Sequence, residues 1–247
     1  MNYYEFKMEF IFVSPHFDDI CFSLDGFVNK FKNFDKRIIN VFTRSDYIRR
    51  MRLICSDQNL REDIISNIRK VEDDNYTTKY GFSYKENLNL KDCGSFGDRE
   101  KELLESTIIK LIKNVKKPIL VFPIGVGLHQ DHVKVFNVCR NIVESKEYKF
   151  DYIIYEDLPY SHVKKDRFSR VEQLSDFLKK NNLFYYKNLL NINDIKNKRD
   201  SIMLYESQHV YKNSFFVKMR RYCQRECIFS KRYEGMWINN ENGYFSF

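Results

Sequence analysis

Phe10-Ile-Phe-Val13-Ser14-Pro15-His16-Phe17-Asp18-Asp19 decides the reading of this chain. Four apolar residues stop at a Ser-Pro break, the mark of a buried strand running out into a loop. The loop carries an imidazole and two carboxylates. Directly after it, Cys21 to Phe31 places Leu24, Phe27, Val28 and Phe31 at helical spacing. Similar apolar runs lie at Ile38 to Phe42, Pro118 to Pro123 and Tyr152 to Tyr155. Helical patterns span Leu60 to Tyr80, Arg99 to Val115 and Val133 to Val143. The order β-α-β-α-(β)-α-β-α-β predicts an α/β fold, a Rossmann-like, doubly wound, mostly parallel sheet flanked by helices. Beyond about residue 165 the pattern loosens into an elaborated C-terminal part. There a strand is expected over Leu183 to Leu190, with helices over Lys196 to Gln208 and Phe215 to Arg225. No linker cuts the chain. The expectation is one domain over residues 1–247, with a core over about 1–160 and an elaboration over about 161–247.

Composition narrows the function classes. Of 247 residues, 43% are hydrophobic and 31% charged, the balance of a folded protein rather than a disordered one. With 17 Tyr and 22 Phe but no alanine, bulky side chains must fill the core. Nothing approaches the roughly 18–20 uninterrupted apolar residues of a membrane helix. The opening Met-Asn-Tyr-Tyr-Glu-Phe-Lys puts charges where a signal peptide needs an apolar run. Six scattered cysteines without a CxxC pair read as reduced, and the expected location is the cytoplasm. The formal charge of +8 suits an anionic partner, but no nucleic-acid recognition fold accompanies it, so nucleic acid is not expected as a partner. The absence of GxGxxG argues against a dinucleotide. Basic clusters occur at Arg44, Arg49, Arg50 and Arg52, at Lys164, Lys165, Arg167 and Arg170, and at Lys218, Arg220, Arg221 and Arg225. A solvated face is the plain reading of each. The sharper one puts Arg44 to Arg52 on the rim of the site, favouring an anionic substrate. Oligomeric state is not legible in the sequence.

Two segments hold three of the five histidines. His16, Asp18 and Asp19 follow the first strand; His129-Gln130-Asp131-His132 follows the Pro118–Pro123 strand and opens a helix. Taken singly, the first reads as well as a turn with a helix cap, and the second as an exposed pair one turn apart. Taken together, both lie past the C-terminal ends of strands, where open α/β sheets bind ligands. Two histidines and an aspartate with an open position describe a hydrolytic zinc site, leaving one Asp and one His to move protons.

The pair PHFDD (Pro15–Asp19) and HQDH (His129–His132) resembles the signatures of the PIG-L/LmbE-like family of zinc-dependent de-N-acetylases. Ser14 to Gly26, Arg69–Asp73, Leu88–Asp92, Tyr155–Tyr160, Tyr205–Gln208 and Tyr233–Trp237 are similar to one branch of it. The resemblance implies His16, Asp19 and His132 as metal ligands and Asp18 as general base. It implies His129 as stabiliser of the oxyanion or general acid, with Asp131 orienting and charging it. Arg69 and Asp92 match positions that shape the sugar pocket. The implied cofactor is Zn2+, with Fe2+ or another divalent transition metal as the variant. The implied activity is zinc-dependent N-deacetylation of an N-acetylglucosamine-type sugar or glycoconjugate. The alternatives are an amidase acting on a larger amide of a glycoside conjugate and a non-catalytic sugar-binding protein. Phe17 and Ile20 depart from the common PHPDDE, and Gly127 stands where some members carry a tyrosine; Tyr160 and Tyr205 are the candidates to replace it.

Overall fold

The computed structural model describes residues 8–47, 57–208, 233–239 and 241. Its elements, in chain order, begin with β1 (Glu9–Ser14), α1 (Asp19–Lys30), β2 (Asp35–Asn40), α2 (Gln58–Lys79), β3 (Tyr84–Asn87), α3 (Asp98–Lys113), β4 (Pro118–Pro123), α4 (Gln130–Ser145) and β5 (Asp151–Tyr155). This is the alternation read from the sequence. There follow α5 (Lys164–Gln173), α6 (Ser175–Lys180), β6 (Phe184–Leu189), α7 (Ile192–Ile202) and β7 (Tyr233–Asn239).

The strands form one seven-stranded sheet in the order β3-β2-β1-β4-β5-β7-β6. β1 to β5 are parallel, whereas β7 runs antiparallel between β5 and β6. Alternation along each strand splits the core into two layers. Ile11, Val13, Leu120, Phe122 and Ile154 face one side, where α3 contributes Leu104 and Ile108 and α4 contributes Phe136 and Ile142. Phe10, Phe12, Ile119, Val121 and Ile153 face the other, where α1 contributes Ile20, Leu24 and Phe27, α2 Tyr76 and α7 Ile202. With helices on both faces, the central parallel strands β1, β4 and β5 have almost no wet side, which explains their apolar runs.

The topology sets the site. β1 lies between β2 and β4, and the chain steps outward to β2 and β3 before returning to β4. That reversal opens a crevice past the C-terminal ends of β1 and β4. The C-terminal part differs in detail from its expectation. The strand over 183–190 forms as β6, but the expected helix over 196–208 begins earlier, ends at Ile202 and resumes as a 3-10 turn over Glu206–Gln208. The expected helix over Phe215–Arg225 lies outside the described residues.

Candidate metal centre and active site

β1 ends at Ser14, and the chain turns through Pro15 so that His16 and Asp19 lie across the crevice from His132, in the first turn of α4. The turn is held locally: the His16 N–H donates to Asp19 Oδ2 at 2.7 Å, and Val41 and Phe42 donate to the Ser14 and Pro15 carbonyls. His16 Nδ1 lies 3.1 Å from Asp19 Oδ2, and His132 Nε2 lies 3.4 Å from the same oxygen. All three side chains are buried. Among the described residues His132 Nε2 has no hydrogen-bond partner although it is buried, an orphan that a cation among these three donors would satisfy. One acidic oxygen and two imidazole nitrogens are a donor set for zinc or a related divalent ion.

Each histidine is also gripped from behind. His132 Nδ1 sits 2.5 Å from Asp157 Oδ1, and His16 Nε2 sits 3.3 Å from Asp131 Oδ2 and 3.4 Å from Asp92 Oδ1. A carboxylate behind the imidazole fixes its orientation and raises its basicity toward a metal. The electrostatics follow. Burial disfavours a charged His16, yet Asp131, Asp19 and Asp92 outweigh it and hold its pKa well above the ordinary value. Asp19 and Asp157 do the same for His132 against its burial. Burial opposes the charge of Asp19 too, but His132 and His16 bring its pKa down to about 2. The carboxylates thus arrange the pocket to favour positive charge.

Asp18 stands beside this group. Arg69, on α2, donates from Nη2 to Asp18 Oδ1 at 3.1 Å, and its Nη1 lies 3.8 Å from Asp92 Oδ2. Both Arg69 and Asp92 line the pocket, with His16, Asp18, Asp19, His129 and Tyr160. The sequence motifs thus converge on one cavity.

The family model for GlcNAc-PI de-N-acetylases (PIG-L) matches residues 11–143, more than half of the chain and all of the site motifs. The chain belongs to this family. It is 27% identical over 165 residues to a 2'-N-acetylparomamine deacetylase of Streptomyces fradiae, a match spanning 61% of this chain and 57% of that protein. Its fold is similar to that of the zinc inhibited form of teicoplanin deacetylase Orf2, with a TM-score of 0.64 and 14% identity, covering 93% of this chain and 97% of that one. It is also similar to N,N'-diacetylchitobiose deacetylase from Pyrococcus horikoshii, with a TM-score of 0.61 and 15% identity over 96% and 85% of the two chains.

Against the PIG-L pattern, two details differ. Asp131 does not orient His129. It accepts from the Cys93 N–H at 2.8 Å and from Lys134 Nζ at 2.8 Å and faces His16, while His129 Nδ1 is buried without a hydrogen-bond partner. Burial, with His132 and His16 close by, holds the pKa of His129 below the ordinary value. The second detail is the missing tyrosine. Gly127 has φ of +77°, and a Cβ there would stand 2.9 Å from Tyr160 Cβ. The bare backbone makes room for the Tyr160 ring, which packs 5.5 Å from His132 and 5.8 Å from His129. Tyr205 instead is buried in the core, its hydroxyl donating to Asp73 at 3.2 Å.

Asp157 was not singled out from the sequence, although it sits in the quoted Tyr155–Tyr160 stretch. Its Oδ2 accepts from the Gly125 and Val126 N–H groups at 2.7 and 2.9 Å, tying the end of β4 to the carboxylate that holds His132. Arg44, expected on the rim, is committed to the buried Glu62 at 2.6 Å. Arg49, Arg50, Arg52, the cluster from Lys218 to Arg225, and His209 lie outside the described residues. Arg167 pairs with Glu156, and buried Arg170 donates to the Ile124 carbonyl, so this cluster is partly internal.

Proposed function

We propose that the protein is a metal-dependent hydrolase that removes the acetyl group from an N-acetylglucosamine-type sugar or glycoconjugate. The observation that carries this is the facing set His16, Asp19 and His132 with Asp18 adjacent in one pocket. Family membership and the sugar deacetylases among its relatives support it. His16, Asp19 and His132 would hold the ion, Zn2+ in the first instance and Fe2+ as the variant. Bound there, a divalent ion supplies a Lewis acid for the amide carbonyl and an acidified water.

The chain's own residues do the rest. Arg69 engages Oδ1 of Asp18, leaving Oδ2 without a protein partner among the described residues and able to take the proton of the attacking water. His129 carries an N–H in either protonation state, enough to donate to the developing oxyanion. Protonated Asp18 then returns its proton to the leaving amine, and the water's second proton passes from the product carboxyl to that amine, so acetate and an ammonium sugar are formed. Asp131 and Asp92 hold His16, and Asp157 holds His132.

No helix among the described residues is long and apolar enough to cross a membrane. We place the protein in the cytoplasm and read the chain as one deacetylase domain, its core over about 1–160 and its elaboration over about 161–247. The test is metal analysis combined with amine release from a panel of N-acetyl sugars. One bound zinc and release from at least one glucosamine-type member is the expected result. A protein that takes up no divalent metal on titration refutes the reading.

A further inference from the structure

Beside the first donor set lies a second. Asp92, Cys93, His129 and Asp131 each offer one ligand atom, and these atoms all lie within 4.8 Å of one another. The four come from two separate parts of the fold. Asp92 and Cys93 follow the isolated bridge between Arg44 and Lys91, and His129 and Asp131 open α4. The segments are fastened together by the Cys93 N–H on Asp131 Oδ2 and by Lys134, which spans from Asp131 Oδ1 to the Gly94 carbonyl at 2.9 Å. Cys93 itself sits at φ +55°, a conformation uncommon for a residue with a side chain. Two independent features mark the set as more than a surface acidic group. Asp131 is wholly buried, and His129 Nδ1 is a buried nitrogen with no hydrogen-bond partner among the described residues. Cys93 is exposed, which gives an incoming ion a route from solvent.

We propose that Asp92, Cys93, His129 and Asp131 form a second, weaker metal site whose occupation by zinc inhibits the enzyme. The donors are one thiolate, one imidazole and two carboxylates, a softer set than His16, Asp19 and His132 and suited to zinc. Binding replaces the Cys93 S–H bond with an S–metal bond and releases that proton to solvent. Three anionic ligands would overcharge a divalent ion, and Arg69, 3.8 Å from Asp92, and Lys134, 2.8 Å from Asp131, offset the excess. The site is weaker because Asp92 and Asp131 already face His16 and must be drawn from it. It inhibits because it draws Asp92 and Asp131 away from His16 and so loosens their grip on that imidazole. The inhibition rests on the deacetylase reading; the binding does not.

Titration of metal-free protein with Co2+ separates the two. The first equivalent is expected to give visible d–d bands without a thiolate band. The second is expected to add a near-ultraviolet thiolate-to-metal charge-transfer band. In Cys93→Ser that band is lost and the second dissociation constant rises about tenfold or more, at least the loss that a missing outer-shell partner brings. In the unmodified protein the second equivalent protects Cys93 from iodoacetamide, read by peptide mass spectrometry, so the result stands even if the variant does not fold. Zinc beyond the first equivalent lowers the rate of the unmodified protein and not that of Cys93→Ser. Saturation at one equivalent, a thiolate band that persists in Cys93→Ser, or unprotected Cys93 overturns the proposal. A missing first equivalent refutes the deacetylase reading instead.

Discussion

Asp157 shows how much of the proposed metal centre lies behind the side chains that would hold the ion. One oxygen holds His132 Nδ1, and the other holds two backbone N–H groups at the end of β4. Replacing it with Asn removes the charge that keeps His132 oriented and basic. Asp157→Asn is expected to weaken metal binding by about 10–100-fold, measured by competition with a chelator, while the fold persists. Asp18 makes the opposite prediction. It holds no ligand position, so Asp18→Asn is expected to bind metal as the native protein does while losing about 10²–10⁴ in kcat. These two residues also mark what the sequence can tell. Asp18 sits inside a motif whose spacing is visible along the chain. Asp157 reaches His132 from the next strand, 25 positions away, and only the β4–β5 pairing reveals it. Asp131 is the instructive case. Two positions from His129 suggests a partner, but His129 precedes α4 and Asp131 lies in its first turn, and the carboxylate accepts its hydrogen bonds from Cys93 and Lys134. The carboxylate meets His16 instead.

At the scale of elements, two short features keep the site in place. α1 leaves helical geometry at Leu24, which frees the N–H groups of Gly26 and Phe27. Glu234 of β7 accepts both, at 2.9 and 2.7 Å, and also takes Lys198 of α7 and Asn188 of β6. It caps the second half of α1 from a distance and locks the C-terminal strands to the helix that carries Asp19. Glu234→Gln strands a buried ammonium, and the expected loss is about 3–5 kcal/mol, read as a lower urea midpoint. Gly127 is the second. A side chain there meets both the left-handed backbone and Tyr160. Gly127→Ala is expected to cost about 1 kcal/mol or more and to raise KM by displacing the Tyr160 ring from the pocket wall. β3 (Tyr84-Lys-Glu-Asn87) carries no apolar run, but β1, β2, β4, β5 and the first four helices were legible because each holds an apolar run or a clear helical stripe. The insertion of β7 between β5 and β6 was not. Tyr233-Glu-Gly-Met-Trp-Ile-Asn239 was not among the strands expected from the sequence, and pairing that distant is set by the whole sheet.

On the scale of the whole molecule, buried charge sets the response to pH. Burial pushes Asp25 and Asp73 up to about 6. Their unfolded values lie near 3.9, so the folded state binds more protons between about pH 4 and 6. Their contribution to stability therefore grows as pH falls through 6. His16 and His132, raised by their carboxylates, add stability in the same direction when no metal is present. Asp19, Asp92 and Asp131 are held low, so their contribution is lost below about pH 4. The metal-free protein is thus expected to be most stable near pH 5 in urea denaturation, with the rise from pH 8 flattened in Asp25→Asn. Metal affinity runs the other way, increasing with pH as the imidazoles lose their protons.

The central claim joins these scales: a sheet reversal gathers His16, Asp19 and His132 around one ion and sets Asp18 to work beside it. Acetate release from an N-acetylglucosamine-type substrate, with one equivalent of zinc bound to the native protein and to Asp18→Asn, tests it most directly. Turnover by the native protein, and its near-complete loss in the variant at equal metal occupancy, is the predicted result. Equal turnover by both would contradict it.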